Sequence, residues 1–181
     1  VDNTYDCGHP SYRWDDIRAT NGTIQTSDAN EKQQIATLTN AEMTAAKTIS
    51  TLFKTFKWNS AVEAKGDAAR THAGIIAQDV EAAMTAAGLD VGNYAFFISN
   101  TWWETQTEVS AVEADKENGI AAVAAHTHTN IYDTAEEAPE GATKRTRMGI
   151  RYPELLSFVG AATEQRLTNI ETRLASLEAA E

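Results

Sequence analysis

The 181-residue sequence contains one cysteine, Cys7, three prolines and no long apolar run. A single cysteine excludes an internal disulfide framework and is typical of synthesis in a reducing compartment. Basic residues are also few: 15 Lys and Arg stand against 26 Asp and Glu, giving a net charge of −11. This charge disfavours binding to nucleic-acid phosphates. Because no apolar stretch approaches the roughly 20 residues of a spanning helix, we expect no membrane partner either.

The first residues indicate short extended pieces rather than a domain of their own. Turn signals at residues 6–10 and at Asn21-Gly22 separate β-favouring residues such as Tyr12 and Trp14. So few strands cannot bury both of their faces. Since the chain also begins at Val1 rather than Met, we expect it to be part of a longer protein. Residues 1–26 are then the end of an upstream β-structured body.

The hydrophobic pattern changes after residue 27. Between Asp28 and about Phe56, apolar residues recur at three-then-four spacing, and no glycine or proline intervenes. This pattern predicts a helix of roughly seven or eight turns. Its apolar residues are Ile35, Leu38, Ala45, Ile49, Leu52 and Phe56.

The middle of the chain mixes strand and helix signals. KTFKWNSAV and RTHAGIIAQ are predicted strands, and DVEAAMTAAGL is a predicted helix closed by Gly88. YAFFISNTWWETQTEVSAV predicts one or two strands, and Asn118-Gly119 a hairpin turn. RTRMGIRY is the last predicted strand. The fold class is therefore α+β: a long N-terminal helix, a small mixed globule with extended hairpin arms, and a C-terminal helix.

The C-terminal helix, about residues 153–181, carries a coiled-coil pattern. Its a and d positions are Leu167, Ile170, Leu174 and Leu177. Arg166 precedes Glu171, and Arg173 precedes Glu178, at the spacing of paired flanking charges in a parallel coiled coil. The simpler alternative is an amphipathic helix packed on its own domain. The matched charges favour self-association, and mixed Leu and Ile are compatible with a homotrimer.

The stretch TSDANEK, residues 26–32, allows two interpretations. Structurally, Asp28 and Glu31 have the spacing of a capping box, with Lys32 a solvated first-turn residue. Chemically, Ser27 lies outside a helix capped by Asp28, so its side chain is free to fold back toward Lys32. Desolvation or the positive end of the helix would then make the lysine a general base, and free N–H groups at the helix start would hold an oxyanion.

Other candidate binding residues are weaker. His126 and His128 share one face if HTH is a strand, but two histidines without further ligands do not predict a metal site. Trp102 and Trp103, with nearby phenylalanines, would line a ligand groove or form a core or subunit contact. We predict no metal and no cofactor.

Three stretches together resemble the C-terminal intramolecular chaperone or autoprotease domain of phage tail spikes and fibres, of the endosialidase type. They are SYRWDDIRATNGTIQTSDANEK, RTHAGIIAQDVEAAMTAAGLD and MGIRYPELLSFVGAATEQRLTNIETRLASLE, in the family's order and spacing. The family's motif has a serine, an aspartate directly after it and a lysine five residues beyond the serine. Here these are Ser27, Asp28 and Lys32, although the family more often has an apolar residue where this chain has Glu31.

The resemblance implies a concrete function. Residues 27–181 would trimerise, assist folding of the upstream fibre or spike, and then release themselves, with Ser27 as nucleophile and Lys32 as base. The chain would be made in the host cytoplasm; the fibre would stay in the virion tail. The scissile bond is either Thr26–Ser27, within one chain, or Ser27–Asp28, between chains. The alternatives are a trimerisation foot that stays attached and a receptor-binding tip.

Overall fold

The structure is a computed structural model and describes residues 27–114 and 121–179. Its helices and strands follow in chain order: α1 (Asn40–Ile49), β1 (Lys54–Phe56), α2 (Asn59–Lys65), β2 (His72–Gly74), α3 (Ala77–Ala86), β3 (Phe97–Val109), β4 (His126–Tyr132), β5 (Thr143–Ile150) and α4 (Tyr152–Glu178). Single 3-10 turns occupy Ala29–Glu31, Gly66–Ala68 and Val91–Asn93. The mixture of helices with two sheets is consistent with the predicted α+β class. Predictions for residues 1–26 and for the Asn118-Gly119 turn fall outside the described residues.

The long N-terminal helix predicted for residues 28–56 is wrong. Only the ten residues of α1 are helical in that range, apart from the 3-10 turn Ala29–Glu31. The cause is a capping box at Thr39, whose hydroxyl accepts from the Glu42 N–H while the Glu42 carboxylate accepts from the Thr39 N–H. Upstream of it, Gln34 has a φ of 56°, a left-handed conformation that interrupts a right-handed helix.

Two other predicted segments need correction. In KTFKWNSAV, strand β1 ends at Phe56 and α2 begins at Asn59, so the second half of that predicted strand is helical. In RTHAGIIAQ, β2 covers only His72–Gly74. β1 and β2 pair in antiparallel fashion as a two-stranded sheet. In segments as short as these, the pattern of apolar residues does not distinguish a strand from a helix.

The predictions from DVEAAMTAAGL onward agree better with the structure. α3 ends at Ala86, and Gly88 follows with a φ of 77°, as expected of a glycine that terminates a helix. β5 matches RTRMGIRY, and α4 begins at Tyr152 with Pro153 in its first turn.

The described chain divides into two compact units, of which the second is Ser99–Arg147 and the first is the remainder. The core of the first unit is formed by α1, α3, the loop after α3 and the start of α4. Its buried side chains are Ala45, Ile49, Ile75, Val80, Ala83, Met84, Val91, Phe96 and Leu155. Burying such side chains supplies roughly 1.5–3 kcal/mol for each large one, which fixes α4 to the unit through its first turns.

The second sheet has the strand order β4-β3-β5. β3 and β4 are antiparallel, with Trp103 opposite Tyr132 and Val109 opposite His126. Beyond their ends, Val112 and Val123 form one further antiparallel bridge. The antiparallel pair β3 and β4 lies where the sequence predicted strands and a hairpin; whether it forms an extended arm stays a prediction.

Candidate functional site

The structure brings Ser27 and Lys32 together. The Lys32 Nζ donates to Ser27 Oγ over 2.7 Å, and both side chains are exposed to solvent in the single chain. On a continuous α-helix two residues five apart would point in directions that differ by about 140°. The contact therefore depends on the backbone between them not being α-helical.

A single tight turn replaces that helix. Asp28 is extended, with φ −70° and ψ 134°, and residues Ala29–Glu31 form one 3-10 turn. The Glu31 N–H donates to the Asp28 carbonyl over 3.3 Å, and the Lys32 N–H to the Ala29 carbonyl over 3.1 Å. Lys32 is again extended, so its side chain leaves the turn on the same side as Ser27.

The side chain of Asp28 closes the same turn. Its Oδ1 accepts from the Asn30 backbone N–H over 2.9 Å and from Asn30 Nδ2 over 3.0 Å. Asp28 is therefore an N-cap, as the sequence predicted. The predicted reach of Glu31 back to Asp28 does not appear among the hydrogen bonds of the described residues; the full capping box lies at Thr39 and Glu42 instead.

Three of the backbone N–H groups at this helix start, where an oxyanion site was predicted, are already engaged. The backbone N–H groups of Asn30, Glu31 and Lys32 already donate within the turn. The turn also has only three residues, whereas the helix dipole effect needs a row of aligned peptide units. These three N–H groups do not supply the stabilisation that an acyl-transfer intermediate needs.

Residues 33–38, which form neither helix nor strand, are the linker between the turn and the core of the first unit. Gln165 of α4 donates its side-chain amide to the Leu38 carbonyl over 3.3 Å. At the end of the linker, Glu42 accepts from the Thr39 N–H, the Thr39 hydroxyl and the Tyr94 hydroxyl, at 2.7, 2.7 and 2.9 Å. These contacts fix the downstream end of the linker to α1 and α4.

The ionisation of Glu42 and Tyr94 reflects this contact. Partial burial acts to raise the pKa of Glu42, but its hydrogen bonds from Thr39 and Tyr94 outweigh burial and leave that pKa below its usual value. Burial, the hydrogen bond to Glu42 and the Glu42 charge all raise the pKa of Tyr94. The pair therefore favours a charged Glu42 and a neutral Tyr94.

The predicted coiled-coil seam lies on the exposed length of α4. Leu155 and Ala162 are buried, but Leu167, Ile170, Leu174 and Leu177 keep between 49% and 68% of their surface exposed. This arrangement excludes the alternative in which these four side chains pack on their own domain. An exposed row of this kind is typical of an interaction surface.

The aromatic pair on β3, Trp102 and Trp103, makes contacts that were not predicted from the sequence. Trp102 is only 5% exposed, and the Arg147 guanidinium lies 5.3 Å from the centre of its ring. Lys144 lies 5.7 Å from the ring of Trp103. The available signal was the presence of Trp102, Trp103 and Glu104 on one predicted strand and of the basic run KRTR on another, since such side chains pair across neighbouring strands. Since Trp102 is buried, it is not an exposed ligand contact.

Glu104 completes this arrangement. Arg145 Nε lies 2.7 Å from Glu104 Oε1. The hydrogen bond from Arg145 lowers the pKa of Glu104, with a further contribution from the Trp102 indole N–H, against the opposing effect of burial. The basic run of residues 144–147 is thus engaged within its own sheet.

The two histidines of HTH lie on β4, where alternate residues share a face. His126 Nδ1 lies 3.1 Å from the Ala124 carbonyl oxygen. Within residues 27–114 and 121–179, no three His, Cys, Asp or Glu side chains converge as metal ligands. In the same part of the chain, no helix has the length and apolar character to cross a membrane.

Known proteins are similar to the part of the chain that contains Ser27 and Lys32. Residues 27–89 match the model of a peptidase family described as "Chaperone of endosialidase". The chain is 33% identical over 171 residues to a probable tail spike protein of Klebsiella phage 0507-KN2-1. It is 32% identical over 174 residues to the side tail fiber protein pb1 of Escherichia phage T5.

These relatives are much longer than the chain. The alignments cover 94% and 96% of the chain but only 13% and 11% of the two relatives. A solved structure is also similar, that of the carboxy-terminal domain of the bacteriophage T5 L-shaped tail fiber with its intra-molecular chaperone domain. It matches with a TM-score of 0.70 and 27% identity, over 97% of this chain and 38% of that one.

Proposed function

We propose that this chain, which carries a chaperone-of-endosialidase domain, is the intramolecular chaperone of a phage tail fibre or spike and cuts itself free beside Ser27. The observation that carries the proposal is the 2.7 Å contact between Lys32 Nζ and Ser27 Oγ. Residues 27–181 are the chaperone, and residues 1–26 belong to the fibre body. The match to a peptidase family supports self-cleavage in general, but not the choice of reactive residues.

The chemistry needs Lys32 to act as a base. In the contact as described, the amine donates to the hydroxyl. Once the amine is neutral, the same pair of atoms carries a hydrogen bond in the opposite sense, and the amine accepts the Ser27 hydroxyl proton. The hydroxyl oxygen then attacks a peptide carbonyl carbon. A serine next to a neutral lysine needs no third residue for this proton transfer.

Two scissile bonds are compatible with this chemistry. Within one chain, Ser27 Oγ attacks the Thr26 carbonyl carbon; a C–O ester bond forms, the C–N bond to Ser27 breaks, and Lys32 returns the proton to the departing amine. Water then hydrolyses the ester. Between chains, Ser27 Oγ of a neighbouring copy attacks the Ser27 carbonyl carbon, an ester forms between the two chains, and the C–N bond to Asp28 breaks with return of the proton to the departing amine. Water then hydrolyses this ester as well. Attack by Ser27 on its own carbonyl would close a four-membered ring.

Assembly supplies what the single chain lacks. Ser27 and Lys32 are exposed, whereas a lysine base requires desolvation or positive neighbours. Copies that associate through the exposed row Leu167, Ile170, Leu174 and Leu177 would cover the turn and exclude water from it. We therefore propose that the active form is a homotrimer and that cleavage follows assembly, which makes it a single-turnover check on folding.

The relatives support the biological setting. Both are named as tail spike or tail fibre proteins, and the solved structure is named for an intra-molecular chaperone domain. By analogy the chain is made in the host cytoplasm, the upstream fibre remains in the virion tail, and the spent chaperone departs. We assign the chain no cofactor.

Substitution of the two reactive side chains tests this proposal. The 181-residue chain is refolded and followed by denaturing gel and size-exclusion chromatography. Ser27→Ala is expected to assemble but to remain uncut, because the hydroxyl is lost. Lys32→Ala should slow cleavage by at least about 100-fold, the lower range for a lost general base. Ser60→Ala and Lys65→Ala, at exposed positions of α2, are the matched controls and should cleave normally.

Two outcomes would redirect the proposal. Cleavage of Ser27→Ala at the same bond would remove Ser27 from the mechanism. If the wild-type chain assembles into trimers but stays intact, the domain is a permanent trimerisation foot and the turn at Asp28 is only a cap.

A further inference from the structure

The reactive pair rests on a turn whose closure depends on one side-chain contact. Asp28 Oδ1 is the shared acceptor for the Asn30 backbone N–H and for Asn30 Nδ2, at 2.9 and 3.0 Å. All three residues Ser27, Asp28 and Asn30 are exposed, so packing of the core does not impose this geometry. The hydrogen bonds of the turn itself must hold it.

A 3-10 turn of three residues is not stable on its own. Its hydrogen bonds have poorer geometry than those of an α-helix, and the nucleus of any helix costs more entropy than its first bond returns. The two backbone bonds here are 3.3 and 3.1 Å long, at the long end of the usual range. The Asp28–Asn30 contact adds two shorter bonds to an ionised acceptor, and such bonds are the stronger class.

We propose that Asp28 and Asn30 are positioning residues for self-cleavage: their contact closes the turn that places the Lys32 amine on the Ser27 hydroxyl. Neither residue accepts the hydroxyl proton or touches the reacting bond through its side chain. This inference rests on the proposed function and specifies what pre-organises its reactive pair. If the turn opened, the Lys32 side chain would adopt many conformations. The cleavage rate would then fall steeply, because the reacting groups would rarely be in near-attack geometry.

The contact also occupies the Asp28 carboxylate, which directly follows Ser27 in the sequence. A carboxylate without its hydrogen-bond donor is free to pair with the ammonium form of the lysine and so to oppose loss of its proton. Asn30 directs one oxygen of Asp28 to the turn instead. Position 30 therefore requires a donor side chain, and a second acidic residue there would disrupt the turn.

Exchange of the two side chains distinguishes positioning from a general effect on folding. Asp28→Asn keeps an acceptor oxygen but loses its charge, so the hydrogen bonds from Asn30 weaken and cleavage should slow by about threefold. Asn30→Asp puts two carboxylates against each other and should slow cleavage about tenfold, comparable to loss of a cap. The double variant Asp28→Asn/Asn30→Asp restores one donor and one acceptor and has the wild-type net charge. Its rate should return to within about threefold of wild type.

The readouts separate this inference from the function on which it depends. Trimer content and thermal midpoint are measured for every variant and should match wild type, because the turn contributes no side chain to the core of the first unit. If wild type cleaves and Ser27→Ala does not, but Asn30→Asp cleaves at the wild-type rate, the positioning role is refuted while the function stands. A double variant as slow as Asn30→Asp also refutes it. An uncut wild type refutes the proposed function itself.

Discussion

At the scale of single residues, two neighbouring N-cap residues have different roles. Asp28 closes a short exposed turn beside the reactive pair, whereas Thr39 starts α1 with a full capping box. The sequence predicted a box at the first of these positions and a continuous helix through the second. Both positions have an N-capping residue followed three residues later by Glu, so the pattern alone does not rank them.

Glu42 gives a prediction on the dependence of stability on pH. Its pKa in the folded chain is lowered, so its contribution to the free energy of unfolding is present above the unfolded pKa of about 4.3 and is lost as pH falls through the folded value. Glu42→Gln should therefore be less stable than wild type at pH 7, and the difference should shrink toward zero in strong acid. Urea unfolding midpoints between pH 7 and pH 2.5 measure this.

Glu63→Gln is the control for this experiment, since Glu63 is exposed on α2. It should leave the midpoint unchanged across the same pH range. A Glu42→Gln variant whose deficit stays constant down to pH 2.5 would mean that the charge of Glu42 does not stabilise the folded chain. Tyr94 has the opposite sign: its raised pKa gives a contribution that is lost only as pH rises through its folded value, in strong alkali.

At the scale of elements, α4 combines two surfaces in one helix. At a rise of about 1.5 Å per residue its 27 residues extend roughly 40 Å. Its first turns are held by Leu155 in the core, and its later turns expose four large apolar side chains. A helix with this division is fixed to one unit and presents the rest of its length to partners.

The seam predicts an effect on assembly without an effect on the fold of the single chain. Leu174→Glu places a charge where three copies would bury an apolar side chain, a loss of roughly 1.5–3 kcal/mol for each copy. We expect the trimer to dissociate at micromolar concentration. Ala175→Glu adds the same side chain one position further on, at a b position of the heptad, and should remain trimeric. Analytical ultracentrifugation distinguishes the two.

Cleavage should be lost in the variant that does not form trimers and kept in the variant that does. Leu174→Glu should remain uncut although its Ser27 and Lys32 are intact, whereas Ala175→Glu should cleave as wild type does. A Leu174→Glu chain that is monomeric and yet cleaved at the normal rate would separate cleavage from assembly.

Several elements could be predicted from sequence because local signals agreed with their environment. α3 has a matched period and a terminating glycine, and α4 has a proline in its first turn and an exposed heptad. The prediction of a long N-terminal helix was wrong because the spacing of apolar residues is only a weak constraint where those residues are not buried in a core. Ile35 belongs to the predicted stripe but is 74% exposed. The linker instead follows the Thr39 cap and the left-handed Gln34.

The sequence named the residues of the candidate site but not their geometry. Spacing and resemblance selected Ser27 and Lys32, but neither predicts the hydrogen bonds of Asn30. That contact depends on a turn between an extended Asp28 and an extended Lys32. Likewise, Trp102 is buried beside Arg147, a pairing between β3 and β5 that sequence separation conceals.

At the scale of the whole molecule, the exposed turn and the exposed seam have a common explanation. A reactive pair that works only when covered, and a helix whose apolar face is covered only in an assembly, would together make self-cleavage depend on association. The chain spans 13% and 11% of the length of its tail spike and tail fibre relatives.

Native mass spectrometry of a refolding time course tests whether self-cleavage depends on trimer assembly. Samples of the 181-residue chain are quenched at intervals, and both oligomeric state and chain mass are read from each species. We expect intact trimers to appear first and cleaved chains to appear only within trimers, with fragments ending beside Ser27. Ser27→Ala should stop at intact trimers. A population of cleaved monomers that precedes any trimer would contradict this dependence.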